Sequence, residues 1–270
     1  MSGVVRTDAA VHKRSAPWTE SVDAMLEHLA EHGFGHAPRV MGRDTEGRQL
    51  LSWIDGAVPG SSELGSAWTP ESLAEPAIIA AAQLLRQMHD AMVGFDPQEP
   101  VWMYHGRCRL SVGQIVGHGD VGPWNTVYRD GTPIAFIDFD SAGPTYPIIE
   151  AAQAAWAFVP ILRAEARQRL GLDHLDPINR LAAFAAAYRI SDAPQFLAAL
   201  SIARAQQAGH AQHWPAGPAA IAEYLGSTVA DLHELDRLMP ELLRAFQATS
   251  ESIDKARALL ILSGGQGHQQ

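Results

Sequence analysis

The 270-residue chain has one cysteine, Cys108, so an internal disulfide framework is excluded. Basic residues are in the minority, 20 Lys and Arg against 30 Asp and Glu, and the formal charge of −10 gives no footprint for phosphate backbones or anionic membranes. Neither nucleic acid nor a membrane is therefore expected as a partner. Long apolar runs are lacking too: the longest candidate, Ala77 to Leu85, falls far short of the ~20 residues a spanning helix needs. The segment from Met1 to Arg14 mixes Arg6, Asp8, Lys13 and Arg14 with no apolar stretch of signal-peptide length, which reads as a cytoplasmic chain.

What is present is ample material for a buried core. Hydrophobic residues make up 47% of the chain, and a length of 270 residues suits one large domain or two lobes packed as a unit. Acidity is concentrated at the front. Residues 1–150 hold 19 acids and 10 bases, whereas 151–270 hold 11 and 10.

Two short extended segments, Gly3 to Arg6 and Ala10 to Arg14, precede a helix opened by Pro17 and Thr19, with Thr19 as its expected N-cap. Val22, Met25, Leu26 and Leu29 recur at helical spacing, and Gly33 ends the helix. Arg39 to Arg43 and Gln49 to Ile54 flank the polar turn Asp44-Thr45-Glu46-Gly47, a hairpin signal. The stretch from Asp55 to Pro70, rich in Gly, Pro and Ser, reads as a linker. A helix is expected over about Glu71 to Met92, then a second hairpin around Asp130-Gly131. From Ile148 onward alanine-rich helices dominate, with breaks at Pro160, Gly171, Pro177, Pro194, Gly209, Pro215 and Gly226.

The chemistry-bearing stretch is His118-Gly119-Asp120-Val121-Gly122-Pro123-Trp124-Asn125, followed by Ile137-Asp138-Phe139-Asp140. Asn125 enters the first strand of the hairpin and Asp138 leaves the second, so the turn returns both side chains to one end. Two oxygen ligands there suit Mg²⁺, which takes one or two protein oxygens plus substrate phosphates. A neighbouring carboxylate, Asp120, can orient a hydroxyl nucleophile. Asp140, two residues past Asp138, leaves two roles open: a second metal ligand or, the expected one for a short acid in a turn, a loop hydrogen bond.

These residues resemble the catalytic core of the aminoglycoside phosphotransferase family, whose pattern is H-G-D-x-x-x-x-N followed by an apolar strand ending in I-D-[WF]-[DE]. The resemblance implies an α+β, two-lobed protein-kinase-like fold: a nucleotide-binding sheet lobe with one helix over 1–54, a hinge over 55–60, a mostly helical catalytic and acceptor lobe over 61–263, and a disordered tail over 264–270. It implies Asp120 as the catalytic residue, Asn125 and Asp138 as the Mg²⁺ ligands, and His118 and Glu150 as supports of the catalytic loop. Lys13 would bind nucleotide phosphates, with Asp23 and Glu27 both open as its ion-pair partner. Ser52, Trp53, Ile54 and Asp55 would bind the base of ATP or GTP through main-chain groups.

The implied activity is transfer of phosphate to a hydroxyl of a small molecule, an antibiotic or a metabolite. Only twelve residues with one glycine, Gly3, precede Lys13, where the family has longer strands and a phosphate-covering loop. That shortening motivates the alternative, a kinase-fold binding protein that has lost transfer. The near neutrality of 151–270 favours an acceptor of low charge over a polycation.

Overall fold

The computed structural model describes residues 5–6, 10–60, 68–162, 164–210, 226–246 and 248. The chain starts with β1 (Val5–Arg6), β2 (Ala10–Lys13), helix α1 (Thr19–Glu31), β3 (Val40–Arg43) and β4 (Gln49–Ser52). The strands form one antiparallel sheet in the order β1-β2-β4-β3. Strand β4 is thus central, and its register places Gln49 opposite Lys13 and Ser52 opposite Ala10. Helix α1 buries Val22, Met25, Leu26 and Leu29, the stripe its periodicity predicts. It is tied to the sheet by buried Gln49, which donates to Asp23 at 2.5 Å.

The expected N-cap role of Thr19 does not hold. Thr19 is the first helical residue and Trp18 holds the cap position; the Thr19 hydroxyl accepts from Ala16 N–H at 2.8 Å, bracing the entering chain instead of the helix donors.

The larger part comprises α2 (Glu75–Ala91), β5 (Val101–Trp102), β6 (Gly106–Arg107), β7 (Ile115–Gly117), β8 (Thr126–Arg129), β9 (Thr132–Phe136), β10 (Gly143–Thr145), α3 (Pro147–Phe158), α4 (Ala164–Arg169), α5 (Pro177–Tyr188), α6 (Ala193–His210) and a further helix, α7, over 226–246. Small residues let these helices pack closely: Ala151, Ala152, Ala154 and Ala155 of α3 are fully buried, and so are Leu181, Phe184, Phe196 and Leu200 of the helices around it. One hydrophobic core runs from α1 through α2 to α7.

The Asp130-Gly131 turn forms as expected, with both residues at positive φ (51° and 75°) and β8 pairing antiparallel with β9. The breaks expected at Pro177 and Pro194 fall between helices, and each proline sits in the first turn of the helix that follows, where no proline N–H is needed. Gly209 lies inside α6. Pro215 and the tail 264–270 fall outside the described residues. The pairing of β7 with β10 escaped the sequence reading because each is three residues long, too short for a period to show.

The connection leaving β4 is pinned to the hairpin: Ala57 and Tyr128 exchange two backbone hydrogen bonds, at 2.8 and 2.7 Å. Among the described residues, no helix is long and apolar enough to cross a membrane.

Candidate active site

Strand β7 delivers the chain into His118-Gly119-Asp120, and the hairpin carries it back to Asp138. Ile137 N–H donates to the Asn125 carbonyl at 2.9 Å, which sets the two ends of the hairpin side by side. His118 is fully buried, and its Nε2 donates to the Ile137 carbonyl at 2.9 Å. That bond fixes the tautomer, leaving Nδ1 to accept from Asp120 N–H at 3.3 Å. Gly119 has φ +82°, and a Cβ there would collide with the Ser141 carbonyl, so only glycine allows this approach of the loop to the turn after β9.

Asp120 opens to solvent at the mouth of a recess while protein crowds its other sides. This desolvation raises its carboxyl above the usual Asp value, with the Asp138 charge adding to the rise, against the lowering effects of His118, Trp124 and Asn125. Trp124 Nε1 donates to Asp120 Oδ1 at 3.2 Å, and Asn125 Nδ2 donates to both Oδ2 and the backbone carbonyl of Asp120, at 2.8 and 2.9 Å. Two donors thus hold the carboxylate in one orientation. Because the Asn125 nitrogen is committed to Asp120, its oxygen is the atom left for a cation.

Asp138 adopts a left-handed conformation, φ 63° and ψ 62°, and then the chain winds one 3₁₀ turn over Phe139–Ser141. Asp138 and Asp140 both face Lys13 across this turn, so Asp140 makes an ion pair in place of the loop hydrogen bond expected of it. Both carboxylates meet Lys13: its ammonium bonds to Asp138 and lies 2.8 Å from Asp140 Oδ2. Burial works to lower the Lys13 pKa, but the two carboxylates outweigh it and the net shift is upward.

The partner of Lys13 is therefore neither residue left open from α1. Asp23 is bonded to Arg43 at 2.5 Å and to Gln49, and Glu27 lies exposed on the outer side of the helix. The oxygens of Asp138 and Asn125 are hard donors of the kind Mg²⁺ takes. More than half of the Asp138 side chain is exposed (55%), which leaves it open to a metal held jointly with a phosphate.

The four expected hinge residues behave differently from one another. Ser52 N–H and Oγ are both engaged with Arg39, at 2.9 and 2.8 Å. The Asp55 carbonyl accepts from Arg129 at 3.0 Å, and its carboxylate accepts from Trp53 Nε1 at 2.7 Å. Trp53 is also stacked under the Arg6 guanidinium, 3.8 Å away. The main-chain groups of Trp53 and Ile54 have no hydrogen-bond partner among the described residues.

Beneath the loop lies a buried relay that the sequence reading caught only in part. Glu150, in the first turn of α3, accepts from Gly119 N–H at 2.6 Å through Oε1 and from His89 Nε2 at 2.7 Å through Oε2. His89 of α2 meets the Tyr188 hydroxyl of α5 at 2.5 Å. Three helices thus converge on one backbone N–H beside Asp120. Burial alone would push the Glu150 carboxyl up, but His89 and the Gly119 N–H together hold it below its ordinary 4.5.

His89 was missed because a lone histidine on a helix carries no spacing signal. Among the aromatic residues of the larger part, Trp102 and Trp156 belong to the core, with indole N–H groups bonded to the carbonyls of Cys108 and Leu200. Trp214 lies outside the described residues. Tyr104 does line a cavity beside the loop.

Replacing Glu150 by alanine orphans the buried His89 donor, at a cost of about 1–3 kcal/mol, and the part-buried Gly119 N–H as well, so urea midpoints should fall with little change in slope. Since the folded-state value of Glu150 is depressed, its stabilisation is present above pH 4.5 and is lost as pH falls through the lower folded value. Wild type should therefore lose more stability than E150A on acidification below pH 4.5, as read by thermal melts.

Comparison with known proteins bears on this geometry. Residues 99–188 match the model of a phosphotransferase enzyme family, APH, and that segment contains the whole loop and hairpin and, of the relay, Glu150 and Tyr188 but not His89. The resemblance to the aminoglycoside phosphotransferases holds. A trifolitoxin immunity protein of Rhizobium leguminosarum bv. trifolii is 37% identical over 176 residues, a match spanning 63% of this chain and 63% of that protein. The structure of an aminoglycoside phosphotransferase from Alicyclobacillus acidocaldarius superposes with a TM-score of 0.53 at 15% identity, covering 88% of this chain and 87% of that one. The shared architecture is the protein-kinase-like fold, a small sheet lobe on a larger helical part.

Proposed function

We propose that the protein is a Mg²⁺-dependent phosphotransferase that moves the terminal phosphate of ATP or GTP to a hydroxyl of a small molecule. The observation that carries this reading is the convergence of Asp120, Asn125, Asp138 and Lys13 at the open end of one hairpin, each held by named bonds. Asp120, kept in orientation by Trp124 and Asn125, accepts the proton of the acceptor hydroxyl and aims its oxygen in line with the phosphorus. Asn125 and Asp138 hold the metal through their oxygens. Bound there, Mg²⁺ neutralises charge on the transferring phosphate.

Lys13 turns its ammonium from the two carboxylates to the phosphates, and Trp53 and Ile54 receive the base through main-chain groups, with Ser52 and Asp55 shaping the hinge. The name of the trifolitoxin immunity relative supports a protective role, in which phosphorylation inactivates an antibiotic.

Calorimetry with Mg-ATP and Mg-GTP, followed by transfer of labelled phosphate to a panel of hydroxyl compounds, tests the reading. Metal-dependent nucleotide binding is the expected result, and in Lys13→Ala that affinity should drop about tenfold or more, as expected for losing one charge-assisted contact. A folded protein that binds neither nucleotide would instead establish a kinase-fold binding module.

A further inference from the structure

A cavity of ≈ 520 Å³ opens beside the Asp120 loop, with Gly119 in its wall and Ser141 and Tyr104 at the same end. Its volume lies in the range that encloses a drug-sized ligand. The side chains around it are built for hydrogen bonding without charge. Gln114, Gln153 and Gln206 supply amides; Tyr104, Thr145 and Tyr146 supply hydroxyls and ring faces. Gln114 spends its carbonyl on Ser111 N–H at 2.8 Å. The amides of Gln153, in α3, and Gln206, in α6, have no hydrogen-bond partner among the described residues. They therefore stand ready for a ligand.

A primary amide offers two donors and an acceptor on one plane, and a hydroxyl is likewise donor and acceptor, so the two match in either direction. An ammonium group only donates. No carboxylate is among the described lining residues and the nearest acids, Asp120 and Asp140, act at the Tyr104 end, so a polycation would leave most of its ammonium groups unpaired, far costlier than desolvated hydroxyls. His105, at the rim, adds no negative charge, and its crowding favours the neutral ring. The exposed face of Tyr146 (45% exposed) gives a platform for the apolar face of a saturated ring.

We propose that the acceptor is an uncharged, hydroxyl-rich ring compound, a neutral glycoside, bound through Gln153 and Gln206 with one hydroxyl turned toward Asp120. This rests on the phosphotransferase reading for its chemistry: the acceptor oxygen forms the new O–P bond and the bond to the nucleotide's bridging oxygen breaks. The hydroxyl proton passes to Asp120, and nucleoside diphosphate leaves.

The experiment uses the full chain and two probes of similar size, methyl β-lactoside and kanamycin A, with binding read by saturation-transfer NMR and transfer read with labelled nucleotide. The neutral glycoside should bind at least tenfold more tightly than the polycation. Gln153→Glu should move that preference at least tenfold toward kanamycin, and Gln153→Leu combined with Gln206→Leu should lose the glycoside. Kanamycin binding to wild type as tightly as the glycoside, or a double leucine variant that keeps glycoside affinity, overturns the proposal. Glycoside binding without any nucleotide binding would retain the pocket assignment and sink the phosphotransferase reading, so the two failures are separable.

Discussion

Asp120→Ala is expected to lower turnover by roughly 10²–10⁴-fold, the range associated with a positioned general base. The fold should survive, because the carboxylate is open to solvent at the mouth of the recess and supports no core packing. Two bonds are lost, from Trp124 and Asn125, but neither donor is left stranded: the Trp124 bond is exposed, and the buried Asn125 amide keeps its bond to the Asp120 backbone carbonyl at 2.9 Å. Thermal melts should therefore shift by only a few degrees while transfer collapses.

Acceptor affinity should change little if Asp120 acts on the proton in flight, which places the loss in kcat with KM nearly unchanged. A pH profile gives an independent check. Because burial raises the Asp120 carboxyl above its ordinary 3.8, and the base works only when ionised, the acidic limb of kcat/KM should lie above that value and fall away as pH drops through it. Turnover retained in folded D120A would remove Asp120 from the chemistry.

The second large effect belongs to Asp138. In the free protein its carboxylate is bonded to the Lys13 ammonium, so a metal ion alone must compete with a cation already in place. A nucleotide changes that competition by giving Lys13 phosphate oxygens to bind. Mg²⁺ binding without nucleotide should accordingly be weak in wild type and should strengthen in its presence.

Asp138→Asn removes one of the two charges that hold Lys13, leaving Asp140, and removes the anionic oxygen that would hold the metal. Turnover should drop by about 10²–10³ or more, the scale seen when one preorganised electrostatic contact is removed. Nucleotide affinity measured by calorimetry should become nearly the same with and without Mg²⁺. If D138N retains full metal dependence, the metal is held elsewhere.

The left-handed backbone at Asp138 fits this division of labour. A non-glycine residue at positive φ costs free energy that surrounding structure must offset, and such positions cluster at functional sites. Here the 3₁₀ turn that follows the left-handed step leaves the carboxylates of both Asp138 and Asp140 on one ammonium, that of Lys13.

Much of this arrangement is legible in the sequence, for identifiable reasons. The Asp130-Gly131 turn dictates a tight hairpin through its positive φ values, and the hairpin alone forces Asn125 and Asp138 to one end. The stripe Val22, Met25, Leu26 and Leu29 dictates which face α1 turns inward. The loop His118 to Asn125 identifies its own chemistry because the types and spacings of its residues leave little else they could do together.

Other features depend on distance in space between residues remote in the chain. That Lys13 meets Asp138 and Asp140, and not an acid of α1, follows from how the sheet sits over the hairpin, 125 residues further on in the case of Asp138. That His89 and Tyr188 stand behind Glu150 follows from three helices packing through small residues, and no local period encodes it. Local pattern determined the elements and the reactive groups of this protein. Tertiary packing decided which charges neutralise each other, because Coulomb and hydrogen-bond energies depend on separation in space and are blind to separation in sequence.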